Sequence, residues 1–169
     1  QMQLKLMTDE LTGIYNRKAL HDALRLLEQQ GSAEPLIFGI ADIDHFKEVN
    51  DRFGHRVGDL CLIEFARALS EYFGESSVYR YGGDEFCLIL RKVTIETAIS
   101  LSERVQSRLE RVELSDAPAL KPTVSFGFSS LSAEDDASRL FNQADEALYE
   151  AKRVRNAIRI YSSSLTQHQ

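Results

Sequence analysis

Thiols are scarce in this chain: Cys61 and Cys87 are the only two cysteines among 169 residues. Both fall inside apolar patterns and neither has metal-ligand spacing. They read as buried free thiols in a reducing compartment, not as a disulfide framework or a thiolate metal site. Long apolar runs are missing as well. None reaches the roughly 18 residues of a membrane span, and no signal peptide is visible, so this domain is expected in the cytoplasm, with any membrane anchor of the full-length protein lying in upstream regions. Basic excess is missing: the formal net charge is −6, which provides no overall field for a nucleic-acid backbone and makes nucleic acid an unexpected partner. Internal repeats and low-complexity segments are also absent. What remains is 43% hydrophobic and 27% charged, ordinary for a soluble globular domain and long enough for one sizeable core.

The apolar spacing predicts a coarse order of elements. Leu20, Ala23, Leu24 and Leu27 recur at helical spacing, so 15–29 reads as an amphipathic helix with Gly31 as its stop. Leu36-Ile37-Phe38-Gly39-Ile40-Ala41 is almost continuously apolar, as a central strand buried on both faces should be, and it delivers Asp42 at its carboxyl end. A short helix is expected over 43–51, with Phe53-Gly54 as its stop, and a longer one over 57–73. Two strands then flank Gly82-Gly83, a tight-hairpin signal because such turns need positive φ. A helix about Ala98 and Val105, an alternating strand over 123–129, a helix carrying Leu140, Ala144, Leu148 and Ala151, and a short strand over 157–161 complete the chain. Mixed strands and helices with at least one antiparallel pair predict an α+β fold, a mainly antiparallel sheet covered by helices.

Three clusters carry candidate chemistry. The hairpin Arg80-Tyr81-Gly82-Gly83-Asp84-Glu85-Phe86 holds two adjacent acids on rigid backbone, which suits a divalent cation holding an anionic substrate. Asp42-Ile43-Asp44-His45-Phe46-Lys47 offers carboxylate and carbonyl oxygens at a strand end, the hard donors Mg²⁺ prefers. Strand alternation makes Asp84 and Glu85 inequivalent, so only one should point easily at a cation on Asp42. The plainer alternatives are helix N-capping by Asp42 and Asp44 and solvated charge at the hairpin. The third cluster, Asn50, His55, Gly58 and Asp59, offers groups of the kind that read a guanine edge. There a local cap at Asn50 and a first-turn acid at Asp59 explain the spacing equally well. Basic residues collect late, at Lys152, Arg153, Arg155 and Arg159, either facing phosphates or solvating a helix end.

The chain resembles the GGDEF domain, the diguanylate cyclase family. Five ordered motifs carry the likeness: Asp9-Glu10-Leu11-Thr12-Gly13-Ile14-Tyr15-Asn16-Arg17, the run from Asp42 to Asn50 and Asp51, Phe53-Gly54-His55 with Gly58-Asp59, the hairpin heptapeptide, and Ala144-Asp145 with Ala147-Leu148-Tyr149 and Ala151-Lys152. The resemblance implies a nucleotidyl cyclase or polymerase palm-like fold over 9–163, with 1–8 ending an upstream linker or signalling helix and 164–169 a tail. It implies condensation of two GTP into cyclic di-GMP with loss of two pyrophosphates, by a face-to-face pair of domains under an upstream sensory domain. Carried over by residue, Asp42 and the Ile43 carbonyl would bind Mg²⁺ (or Mn²⁺), as a pair of ions per GTP. Asp84 would complete that site and deprotonate the attacking 3′-hydroxyl, with Glu85 also tied to metal and catalysis. Asn50 and Asp59 would read guanine, with His55 nearby. Phe46, Lys47, Arg80, Gly82, Gly83 and Lys152 would lie against substrate, chiefly its phosphates.

Two departures matter. The family's product-inhibition motif, Arg-x-x-Asp before the hairpin, is here Phe73-Gly74-Glu75-Ser76, which predicts little or no feedback inhibition. The late Lys-x-x-Gly-Arg-Asn is Lys152-Arg153-Val154-Arg155-Asn156, leaving open whether Arg153 or Arg155 meets phosphate. Retention of Asp59 favours guanine over adenine. The competing reading is a catalytically weak GTP-binding module with a regulatory role; a template-reading polymerase palm fits poorly with the acidic charge.

Overall fold

The computed structural model describes residues 6–132 and 135–162. Most of the expected upstream segment 1–8 and all of the tail 164–169 lie outside them. In chain order the elements are α1 (Arg17–Gln30), β1 (Leu36–Ile43), α2 (Phe46–Phe53), α3 (His55–Phe73), β2 (Val78–Gly82), β3 (Glu85–Arg91), α4 (Ile95–Glu110), β4 (Val124–Leu131), α5 (Leu140–Val154) and β5 (Ile158–Ile160). The strands form one sheet in the order β2-β3-β1-β4-β5, antiparallel except for the parallel β4–β5 pair. This is the expected α+β arrangement, with helices on both faces.

Period-two alternation sorts β1 between two cores. Ile37, Ala41 and Ile43 pack with α2, α3 and α4, while Leu36, Phe38 and Ile40 pack with α1 and α5. Phe65 of α3 anchors the first core, its ring 4.9 Å from Phe86 and 6.4 Å from Phe126. The continuous apolar run of β1 is thus explained by burial on both sides, at the centre of the sheet.

The polar half of β4 departs from simple alternation between core and water. Ser125 and Ser129 are fully buried under α5, and Ser129 Oγ donates to the Leu140 carbonyl at 2.7 Å. A Cβ on Gly127 would run into the backbone of Ala144 and Leu148. This small-residue face lets α5 lie directly on the sheet, which carries its last turn, and Lys152, over the end of β1.

The short helix expected over 43–51 starts later, at Phe46. The backbone N–H of Asp44 donates to the Thr123 carbonyl at 2.8 Å, prolonging sheet-like bonding past β1, and His45 then takes a left-handed conformation with φ 57°. The helix begins from there, the His45 carbonyl accepting from the Val49 N–H at 3.0 Å. At the other edge of the sheet, the turn preceding α1 closes on β2: Tyr15 bridges to Tyr79, and the Arg80 N–H donates to the Tyr15 carbonyl at 2.7 Å. Asn16 then caps α1, its Oδ1 accepting from the Ala19 N–H at 3.0 Å.

Candidate active site

The carboxyl end of β1, the β2–β3 turn and the last turn of α5 meet at one end of the sheet. The turn needs its glycine: Gly83 has φ 53°, a left-handed conformation that a side chain would strain. Gly83 and Asp84 are the two residues between the strands, so Asp84 is a turn residue and escapes strand alternation. Glu85 opens β3 and sits directly opposite Asp42 in the β1–β3 register, on the same sheet face. The expectation that only one hairpin acid approaches Asp42 rested on both lying in a strand. In the structure Asp84 lies in the turn, near enough for its charge to act on Asp42, and Glu85 stands opposite Asp42 in the ladder.

Asp42 is the most perturbed carboxyl of this end. Its Oδ1 is buried, and the Lys152 ammonium pairs with it at 2.5 Å. Burial pushes the Asp42 pKa up to about 6; Lys152 opposes this, and the charges of Asp84 and Asp44 add to it. Burial also raises Asp84, against the pull of its own backbone amide, Lys152, the Ile43 amide and Arg80. Glu85 is raised by burial and then by the charges of Asp84 and Asp145, with Arg17 and Lys152 opposing. Three carboxyls held above their ordinary range mark a place short of positive charge.

Asp44 behaves in the opposite way. Its side chain is 0% exposed, yet it neither caps α2 nor lacks partners. Thr123 Oγ1, Ser125 Oγ, Lys152 Nζ and the Asn156 N–H donate to its two oxygens at 2.7, 2.8, 2.9 and 2.8 Å. Burial alone would raise its pKa; the donors outweigh that and hold it below the usual carboxylate value. From the sequence, Asp44 is either part of a hard-donor cluster for a cation or a helix cap. The available signal was the i, i+2 spacing from Asp42, which places both on one face once β1 is extended by two residues.

Lys152 therefore touches Asp44, Asp42 and, at 3.4 Å, the Ile43 carbonyl. Of the four late basic residues it alone makes these contacts: Arg153 pairs with Glu150 on the surface, Arg155 is an exposed residue just past α5, and Arg159 donates to the Ile158 carbonyl. Arg80 is committed elsewhere. Its Nη1 pairs with Asp9 at 3.1 Å, and its Nη2 donates to the Gly83 carbonyl at 2.9 Å, so its guanidinium braces the turn. Asp9, which the sequence reading used only as a motif residue, also accepts from the Thr12 N–H and hydroxyl.

The α2–α3 junction gathers part of the third cluster. The Asn50 side chain fills the space where a Cβ on Gly58 would stand, with the Phe46 ring beside it. Asn50 and Phe46 are half-buried; Lys47, His55 and Asp59 are exposed, as are Gly82 and Gly83. A cleft of about 640 Å³ between the N-terminal turn and α3, lined by residues such as Tyr15, Arg67 and Ser76, contains none of the residues proposed above.

The donor set suits a hard cation. A buried carboxylate oxygen beside a backbone carbonyl, answered by a single ammonium, is a place such an ion can satisfy. Among the described residues no three acidic, His or Cys side chains converge on one point. A cation here would rest on Asp42, Asp84, the Ile43 carbonyl and oxygens of a phosphate ligand, the mixed shell that Mg²⁺ favours.

The sequence profile described as diguanylate cyclase, GGDEF domain, matches residues 6–157. The chain is 35% identical over 163 residues to diguanylate cyclase DosC of Escherichia coli, covering 93% of this chain and 35% of that protein. It is 35% identical over 160 residues to the response regulator PleD of Caulobacter vibrioides, covering 90% and 35%. The chain thus spans about a third of the length of these curated relatives. The GGDEF domain of DgcB from Caulobacter crescentus, solved in complex with c-di-GMP, superposes with a TM-score of 0.82 at 28% identity, covering 94% of both chains. The chain belongs to the GGDEF domain family.

Proposed function

We propose that this GGDEF domain is a diguanylate cyclase that condenses two GTP into cyclic di-GMP and releases two pyrophosphates, each of two facing domains contributing one GTP. The observation that supports this most is the buried Asp42 Oδ1, answered only by the Lys152 ammonium, with Asp84 and Glu85 brought to the same end of the sheet.

In this reading Asp42, the Ile43 carbonyl and Asp84 hold Mg²⁺, or Mn²⁺ in its place, with Glu85 serving a second ion. When bound, the metal neutralises triphosphate charge and acidifies the attacking hydroxyl. The protein's own residues position the reactants, which is most of phosphoryl-transfer catalysis. Asn50 and Asp59 accept and donate along the guanine edge, with His55 nearby. Phe46, Lys47 and Lys152 lie against the triphosphate. The 3′-oxygen of one GTP forms a bond to the α-phosphorus of the other, the bond from that phosphorus to the bridging oxygen breaks, and pyrophosphate leaves. Asp84 takes the hydroxyl proton. A second, equivalent transfer closes the ring. Arg80 serves indirectly, holding the Gly83 carbonyl next to Asp84.

Product inhibition through the site before the hairpin is not expected. Phe73 stands where the family's arginine would, its ring 6.3 Å from Phe126 in the core. The neighbouring guanidiniums are paired, Arg67 with Glu64 and Arg108 with Glu71.

Incubation with GTP and Mg²⁺, with the product identified by mass, tests the proposal. Cyclic di-GMP is expected, with turnover per protomer rising with protein concentration as domains pair. Tight GTP binding with no product would instead favour the regulatory module. Added product should leave the rate unchanged.

A further inference from the structure

Lys152 carries the argument beyond a phosphate-facing role. Its ammonium lies against two of the three protein groups assigned to the metal, Asp42 at 2.5 Å and the Ile43 carbonyl at 3.4 Å. An ammonium and a divalent ion cannot both rest on the same oxygens. We propose that Lys152 is a resident stand-in for the divalent cation, held over Asp42 and the Ile43 carbonyl by Asp44, which a divalent ion must displace and which then turns to the nucleotide phosphates. This deepens the metal-site reading of Asp42 and rests on it.

Three features support a displaceable cation. First, Asp44 can release Lys152 without becoming an orphan, because Thr123, Ser125 and the Asn156 N–H remain on its oxygens. Asp42 cannot: once Lys152 leaves, its buried Oδ1 has no partner until an ion arrives. Departure of the lysine and arrival of the ion are thereby coupled. Second, Lys152 is in the last turn of α5 with its side chain 28% exposed, on a flexible four-carbon stem with a solvent-facing route. Third, an ammonium is a point charge with rotatable donors and needs no fixed fork geometry to change partners. The consequence is a population penalty: the ion binds only the fraction of molecules in which the lysine is out, so metal affinity without nucleotide is reduced by that fraction. A triphosphate lifts the penalty by offering the ammonium somewhere else to go.

The test uses the nucleotide-free protein and Mn²⁺ followed by electron paramagnetic resonance. Lys152→Met should bind Mn²⁺ at least about tenfold tighter than the wild type, and adding Asp42→Asn to that variant should abolish the gain. Equal affinities in wild type and Lys152→Met, with Asp42→Asn alone weakening binding, would overturn the stand-in role while leaving the metal site intact. Mn²⁺ binding indifferent to Asp42 in every background would overturn both. If Lys152→Met does not fold, pulse acetylation of the wild type decides the matter. Saturating Mn²⁺ should raise Lys152 labelling by at least about threefold as the ammonium is freed; unchanged labelling would overturn the proposal.

Discussion

Asp42 and Asp44 stand two residues apart, share one lysine, and belong to regions with opposite logic. The knot around Asp44 ties the end of β1 to β4 and to the turn after α5, and every bond there is closed by a donor from the chain itself. The mouth around Asp42, Asp84 and Glu85 is left open: its carboxyls are raised, and the buried Asp42 Oδ1 is answered only by the shared ammonium. Burial penalises a carboxylate in both places. What separates them is whether neighbours answer the charge. A satisfied buried acid holds the fold together, while an unsatisfied one waits for something the chain does not contain.

The most damaging challenge to this contrast is Asp44→Ala. It should cost about 3–5 kcal/mol in denaturant unfolding, because it strands the buried Thr123 and Ser125 hydroxyls and the Asn156 N–H and takes one of two carboxylates from the Lys152 ammonium. A cost below about 1 kcal/mol would show that the knot is not structural. Next comes Asp84→Ala, which should lower cyclic di-GMP formation by at least about 10²-fold while leaving the domain folded. Near-normal turnover would remove Asp84 from the mouth's chemistry.

Asp42→Asn should act in the opposite direction on stability. The folded protein holds the Asp42 proton more tightly than the unfolded chain, with a pKa of about 6 against 3.8. The stabilisation from that proton is full below the lower value and is lost as pH rises through the higher one. In the absence of metal, the asparagine variant should therefore exceed the wild type by about 1–3 kcal/mol at pH 7.5, the gap closing below about pH 4. Thermal melts across that range check it, and a variant less stable at pH 7.5 would place Asp42 in the knot. The smallest effect is expected of Asp9→Asn. Burial would raise Asp9, but Thr12 and Arg80 hold it below its ordinary value, so its contribution is present at neutral pH and fades as pH falls through the depressed pKa. The variant should lose about 1 kcal/mol at pH 7 and nothing near pH 2. A pH-independent loss would assign the effect to packing.

Much of this contrast was legible in the chain. The apolar run before Asp42 and the Gly82-Gly83 pair predicted a buried central strand and a glycine-dependent hairpin, because both signals are local. Non-local facts were less legible. Asp44 read as a cation donor or a helix cap since nothing in its neighbourhood reveals that Thr123, Ser125 and Asn156, some eighty to a hundred and twelve positions later, supply its donors. Arg80 read as a phosphate ligand because its commitment to Asp9, 71 residues earlier, is a tertiary contact. The serines of β4 read as a strand's polar side, and only the close approach of α5, made possible by Gly127, turns that side inward.

The sequence by itself determined the order of elements, the family, and which residue types gather into motifs, since helical and strand periodicities and turn glycines act over a few residues. The tertiary structure alone decided which acids are satisfied and which are left wanting. That depends on where β4 and α5 deliver their donors, and a carboxylate's charge is answered by what stands beside it in space.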